Sequence, residues 1–139
     1  MSLILATLAL SALAPSALPS AEGAPSFEAV AESDVLQSAR AWLVLVDEGR
    51  WHESWSATGA AFRKLNTDKT WASVSEQVRG PLGAALSRSA SSQESLPAPP
   101  YGYEVVKFKT SFANKPATIE TVTLEREGSN WKVVGYIIG

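Results

Sequence analysis

The chain has 139 residues, 45% of them hydrophobic and 19% charged, and a formal net charge of −2, which suits one folded domain better than two domains or a disordered chain. Cysteine is absent, which excludes disulfides, zinc–thiolate sites, iron–sulfur clusters and thiol catalysis. The slightly acidic balance and the lack of any Lys/Arg-rich run argue against nucleic-acid binding.

The first 24 residues differ from the rest of the chain. No charge precedes Glu22, and the apolar run 3–14 has the length of a signal-peptide core. That run is too short to span a bilayer, which takes about 20 apolar residues. We predict that residues 1–24 are a signal peptide with a low-complexity tail, with a retained anchor as the alternative. Residues 25–139 are then a single domain without a membrane span, located in the periplasm or secreted.

Apolar residues recur at helical spacing in the first half of that domain, which predicts three amphipathic helices. The stripe of the first helix, which ends before Gly49, consists of Leu36, Ala39, Leu43 and Val46. The second, shorter helix has its stripe at Trp51, Trp55, Thr58 and Phe62. The third carries Trp71, Val74 and Val78 and ends at Gly80-Pro81.

From residue 84 onward the apolar spacing changes to two, which predicts strands. The polar segment 85–96 is predicted to be an edge strand, and the proline-rich stretch after it a loop. Three more strands are predicted over 103–112, 118–127 and 131–139. Because short turns join them, we predict an α+β fold, in which N-terminal helices pack on a curved antiparallel four-stranded meander sheet.

This order of elements resembles the NTF2-like (cystatin-like) cone, in which a curved sheet wraps around a helical layer. More closely, residues 38–139 resemble the bacterial DUF4019 family, whose function is unresolved. The likeness is carried by an ordered set of segments: AWLVLVDEGRWHESW, VRGPLGA, PYGYEV, FKTSFANK, ETVTLEREGSNWKV and GYIIG. The resemblance implies an exported domain of cone shape, and it brings no catalytic residues with it.

The single histidine, His52, stands beside Trp51 and near Trp55. A zinc site made of histidines needs a second one four residues later, and position 56 is serine. A general base needs an oriented partner and a pocket. We therefore predict a solvent-exposed histidine, no catalytic residue of this kind, no metal site and no cofactor.

The tryptophans are the strongest compositional feature. They lie on the apolar sides of the predicted helices and at the start of the last strand: Trp42, Trp51, Trp55, Trp71 and Trp131. Truncating a buried tryptophan costs about 3–5 kcal/mol, so a core of this size depends on such rings. We predict that they form the core. The alternative is an aromatic-lined pocket for an apolar or sugar-like ligand.

Four charged residues fall on predicted apolar faces: Asp47, Arg79, Arg88 and Glu120. A charge on such a face must be paired or solvated. We predict a structural ion pair between one of the arginines and one of the carboxylates. The alternative is a polar end to an interior pocket, gripping a carboxylate or another anion.

These observations predict a non-enzymatic binding or protein-interaction module, whose partner is a small molecule or an envelope protein, and a homodimer through the sheet. The alternative function is a small cofactor-free acid–base enzyme of the steroid-isomerase type. Its inward-facing groups would be Asp47, Tyr103, Glu104 and Tyr136. The candidate ligand-binding residues are Asp47, Trp55, Arg79, Arg88, Tyr103, Glu120 and Tyr136.

Overall fold

The structure, a computed structural model, describes residues 32–98 and 100–139, and the predicted signal peptide lies outside these residues. The helices are α1 (Asp34–Asp47), α2 (Trp51–Ser56), α3 (Ala60–Leu65) and α4 (Asp68–Arg79), followed by a short 3₁₀ turn (Gly80–Leu82). The strands are β1 (Ala85–Leu96), β2 (Tyr103–Phe112), β3 (Lys115–Glu127) and β4 (Asn130–Ile138).

The four strands form one antiparallel sheet in the order β1-β2-β3-β4, so that β1 and β4 are its edges. This confirms the predicted α+β class, the meander and the position of the polar strand β1 at an edge. The face opposite the helices is exposed, and Lys107 and Lys109 lie on it as their alternation predicts. None of the described helices has the length and apolar character needed to cross a membrane.

Hydroxyl side chains fix the beginnings of the two long helices. Ser33 accepts a hydrogen bond from the backbone N–H of Leu36, and Thr67 accepts one from Thr70. Such N-caps satisfy a backbone donor that has no partner inside the helix. After α1 the chain reverses at Gly49, whose φ of +69° lies in the left-handed region that glycine adopts without strain.

The prediction of a single helix from Trp51 to Phe62 is wrong, because the structure divides this segment into α2 and α3. The break lies at Thr58 and Gly59, which reach the edge of the sheet. The Gly59 N–H donates to the carbonyl oxygen of Val133 at 2.8 Å. Thr58 and glycine both have low helix propensity, so this contact with β4 prevails over helix continuation.

The core lies between α1 and the inner face of the sheet. Its buried members are Val35, Ala39, Trp42, Leu43, Val46, Val106, Phe108, Val122, Leu124 and Val133. Trp51, Trp71 and Trp131 pack against this cluster partly buried. Four of the five tryptophans therefore belong to the core or its border, as predicted, whereas Trp55 is only half-buried outside it.

Candidate functional site

The structure brings five of the predicted binding residues into one hydrogen-bonded group, which we call the charge cluster. Its members come from two helix ends and every strand: Asp47, Arg79, Arg88, Thr110, Glu120 and Tyr136. Thr110 was not predicted. The ion pairing expected between the arginines and the carboxylates is present in this cluster.

Asp47, at the end of α1, is held by both arginines. Arg88 donates through Nη1 to Oδ2 at 2.7 Å and through Nη2 to Oδ1 at 2.9 Å. Arg79 donates through Nη2 to Oδ1 at 2.7 Å. Burial alone would raise the pKa of Asp47, but the hydrogen bonds from Arg88 and Arg79 outweigh it and hold the pKa below its ordinary value of 3.8. Asp47 is therefore a poor proton acceptor near neutral pH.

Glu120, on β3, is completely buried and accepts hydrogen bonds on both oxygens. Arg88 Nε donates to Oε1 at 2.7 Å, and the Thr110 hydroxyl donates to the same oxygen. The Tyr136 hydroxyl donates to Oε2. A carboxylate in the interior is tolerated only with such a set of donors. Glu120 thus has no free oxygen to offer a ligand or a substrate proton.

The pKa values of two cluster members show how firmly the charges are fixed. Burial lowers the pKa of Arg88, but hydrogen bonds to Asp47 and Glu120 outweigh this and raise it above its usual value. Burial, and then the negative charge of Glu120, raise the pKa of the Tyr136 hydroxyl far above its usual 10.0. The tyrosine therefore remains protonated at neutral pH and acts as a hydrogen-bond donor.

Arg79 ends α4 and is one of the cluster members that border open space. Its guanidinium lies over the ring of Phe112, 4.8 Å from the centroid, a cation–π contact. Its Nη1 lies 3.4 Å from the Tyr136 hydroxyl. The Nε atom is buried and has no hydrogen-bond partner within the described part of the chain. Because two arginines face two carboxylates, the cluster is formally neutral and has no surplus charge for an anion.

A cleft of about 270 Å³ lies between α4 and β4, next to Arg79. We call it the α4–β4 cleft. Its apolar lining consists of Trp71, Val74, Val78, Ile137 and Ile138, and its polar lining of Ser75, Arg79 and Tyr136. This volume approaches the lower end of the range of small-ligand pockets, about 300–1,000 Å³.

Two residues that line the α4–β4 cleft each contain a buried polar atom without a hydrogen-bond partner among the described residues, Ser75 Oγ and Arg79 Nε. The two residues are four apart on α4 and therefore share a helix face. A buried polar group left unpaired costs about 1–3 kcal/mol. Ser75 was not predicted, although a serine one turn before Arg79 on an apolar helix face was a visible indication.

Trp55 and Tyr103 lie outside the charge cluster. Trp55 donates through Nε1 to the carbonyl oxygen of Asn66 at 2.7 Å. Tyr103 begins β2 and lines a separate open hollow together with Glu104 and Trp131. There the Ser95 hydroxyl donates to Oε1 of Glu104 at 2.6 Å, while Oε2 is buried without a partner in the described chain.

His52 is exposed, as predicted, with 72% of its side chain accessible to solvent. Its Nδ1 lies 2.6 Å from Oδ2 of Asp68, at the start of α4, and its ring stacks on Trp55. Asp68 was not predicted as a partner of His52, because it lies 16 residues further along the chain. Among the described residues, no group of three histidine or acidic side chains is placed to hold a metal ion.

Comparison with known proteins gives one family match. The profile of the family described as "Protein of unknown function (DUF4019)" matches residues 38–136, which contain the whole charge cluster and the α4 side of the cleft. No curated protein matches the chain.

Proposed function

We propose that this chain, which belongs to the DUF4019 family, is a non-enzymatic binding or interaction module whose ligand lies in the α4–β4 cleft. The observation that carries the proposal is that two residues lining this mainly apolar cleft, Ser75 and Arg79, each keep one buried polar atom without a partner among the described residues. Binding sites typically combine apolar walls with a few polar groups that orient the ligand.

The chemistry of the cleft indicates the class of ligand. Arg79 Nε can only donate a hydrogen bond, and the Ser75 hydroxyl can also donate, so the ligand supplies an acceptor. Since Asp47 already balances the charge of Arg79, a neutral carbonyl oxygen suits the site better than a carboxylate. The body of the ligand is apolar, because it lies against Trp71 and the valines of α4.

Acid–base catalysis of the steroid-isomerase type is the alternative with less support. A general base needs a free lone pair facing a pocket and a pKa near the working pH. Asp47 and Glu120 use their oxygens in hydrogen bonds, and Tyr136 remains protonated. Such an activity would have to rest on Glu104, which keeps one oxygen free beside Tyr103.

Three further assignments belong to the proposal. The order of helices and antiparallel strands supports the NTF2-like cone as its architecture. The apolar run 3–14 supports export to the periplasm or beyond. The exposed outer face of the sheet, with Lys107, Lys109 and a partly exposed Ile119, supports a homodimer through that face. Cell fractionation tests export, and light scattering tests the homodimer.

Binding in the cleft is tested with two probes of the same shape, cyclohexanecarboxamide and cyclohexanecarboxylate. We expect the amide to shift the NMR signals of Ser75 and of the Arg79 Nε–H, and the carboxylate to bind more weakly. Val78→Trp should fill the cleft and abolish the shifts. Val44→Trp is the matched control, because Val44 on α1 is similarly exposed, 49% against 45%. Shifts that persist in Val78→Trp, or no binding of either probe, would contradict the proposal.

A further inference from the structure

We infer that the occupant of the α4–β4 cleft is an extended, uncharged segment of another protein, which adds to the sheet as a fifth strand beside β4. This inference rests on the proposed function, because it takes the same cleft as the binding site and names the class of partner.

The lining of the cleft follows the edge of β4. Tyr136, Ile137 and Ile138 all line it, although successive side chains of a strand point to opposite faces of the sheet. Only the edge of the strand can present three consecutive residues to one cleft. On the other side, α4 presents one helical face through Trp71, Val74, Ser75 and Val78. A groove between a helix and an open strand edge suits the addition of an extended peptide.

The register of β4 leaves backbone groups free along this edge. Ile119 and Gly139 exchange both backbone hydrogen bonds, each at 2.9 Å. Bonded and non-bonded pairs alternate along an antiparallel ladder, so the pairs of Ile138 with Glu120 and of Tyr136 with Val122 are non-bonded. The N–H and C=O groups of Tyr136 and Ile138 therefore point away from β3, toward the open edge.

After one register irregularity between Val133 and Gly135, the rest of this edge lacks the features that keep edge strands from pairing. The other edge strand, β1, is polar and carries two irregularities in its register. Over residues 135–139 the sequence GYIIG contains no charge and no proline, and Ile137 is 68% exposed. Native proteins protect open edges with charges, proline, bulges or a covering segment. We infer that a partner covers this one.

The first half of the same edge already accepts a strand-like segment. Thr58 forms a parallel bridge with Val133, and Gly59 donates to the Val133 carbonyl. An added strand would begin its pairing after the irregularity between Val133 and Gly135. The open part, residues 135–139, matches a segment of about five residues, roughly 16 Å in length.

Charge and symmetry favour a segment of another protein over a second copy of this chain. Among the described residues, Arg79 is the one charged group that lines the cleft. Asp47 neutralises it, so uncharged side chains are complementary to the cleft. A second copy related by a two-fold axis would pair β4 with β4 and bring only Ile and Tyr side chains toward Ser75. A foreign segment can place an Asn or Gln carbonyl opposite Ser75 and the Arg79 Nε.

The test uses capped heptapeptides in which Val, Ile, Thr, Asn and Gln are varied, and follows amide hydrogen exchange by NMR with the tightest binder. We expect exchange at Tyr136 and Ile138 to slow by about tenfold or more. The amides of Ile137 and Gly139 already face β3 and should change little. Slowing at all four positions, or at none, would overturn the inference.

Two variants of one residue separate the backbone from the side chain. Ile138→Pro removes an N–H that β3 does not use and should abolish peptide binding, with near-ultraviolet circular dichroism as the check on folding. Ile138→Ala keeps the N–H and loses only apolar contact in the cleft, so it should bind more weakly than the wild type but retain the binding that Ile138→Pro loses. Equal binding by the two variants would overturn the inference. If Ile138→Pro does not fold, the amide exchange pattern of the wild type with peptide decides whether the inference holds.

Other occupants give different results. Concentration-dependent protection of Tyr136 and Ile138 without any peptide would mean a second copy on this edge and would overturn the inference. Binding of cyclohexanecarboxamide without binding of any peptide would overturn it while the proposed function stands. If neither cyclohexanecarboxamide nor any peptide binds, both this inference and the proposed function are wrong.

Discussion

At the scale of single residues, the charge cluster shows what an interior carboxylate requires. Glu120 is fully buried, yet Arg88, Thr110 and Tyr136 together satisfy both of its oxygens. Replacing a whole buried ion pair by apolar groups is often neutral, whereas removing one partner leaves the other charge uncompensated. The cluster is therefore a structural unit whose members cannot be changed singly without loss.

Glu120→Gln should lower the free energy of unfolding by about 3 kcal/mol, because Arg88 and Arg79 would then share the single carboxylate of Asp47. Urea unfolding measures the change. Glu94→Gln is the control, since Glu94 is exposed on β1 and should shift stability by no more than about 0.5 kcal/mol. Similar values for the two variants would mean that the cluster does not stabilise the fold.

The pKa of Asp47 predicts how stability depends on pH. In the folded protein this pKa lies below its ordinary value of 3.8, because the hydrogen bonds from Arg88 and Arg79 outweigh the effect of burial. The stabilisation is complete above the unfolded pKa and is lost as the pH falls through the folded pKa. Urea unfolding between roughly pH 6 and pH 2 should show a steeper acid loss for the wild type than for Asp47→Asn. If the free energy of unfolding fell equally with pH in the wild type and in Asp47→Asn, this prediction would be wrong.

At the scale of elements, the parts predictable from the sequence are those with a sustained period. The stripe of α1 and the alternation of β2 and β3 repeat often enough to define an element and its buried face. The break between α2 and α3 was missed because a hydrogen bond from Gly59 to Val133, more than 70 residues away, decides it. No local pattern contains that contact.

The same distinction applies to the site. Asp47, Arg79, Arg88 and Glu120 were predictable because a charge on an apolar face needs a partner. Thr110 and Ser75 were not predicted, since hydroxyl groups are common on strands and helices whether or not they bond. The cleft itself depends on the separation between α4 and β4, which no periodicity records.

Gly59 and Gly139 offer a test, with a control, of the close approach of Gly59 to β4 at the break between α2 and α3. A Cβ on Gly59 would lie 2.8 Å from Cγ1 of Val134, so Gly59→Ala should cost about 1–3 kcal/mol by overpacking. A Cβ on Gly139 would meet nothing within 4 Å, and Gly139 does not have a positive φ. Gly139→Ala should therefore change stability by no more than about 0.5 kcal/mol. Thermal unfolding distinguishes the two. A tolerated Gly59→Ala would mean that the close approach of Gly59 to β4 does not require a glycine at the break.

At the scale of the whole molecule, the helices are not packed evenly on the sheet. Near α1 the layers are closed by a continuous apolar core. Near α4 they stand apart and leave the α4–β4 cleft. Trp42 connects the two regions, because its ring lies 5.9 Å from that of Trp71 and 5.2 Å from that of Tyr136, and both of these residues line the cleft. The cleft therefore depends on a ring that lies in the core.

Trp42→Ala should lower the free energy of unfolding by about 3–5 kcal/mol, because Trp42 is almost fully buried and its Nε1 donates to the Ser54 carbonyl at 2.9 Å. Trp55→Ala should cost less, since that ring is only half-buried outside the core. Chemical unfolding measures both. Trp42→Ala should also weaken binding of cyclohexanecarboxamide, by releasing Trp71 and Tyr136, whereas Trp55→Ala should leave binding unchanged. A larger loss of stability in Trp55→Ala would place the centre of the domain at the junction of α2 and α3 instead.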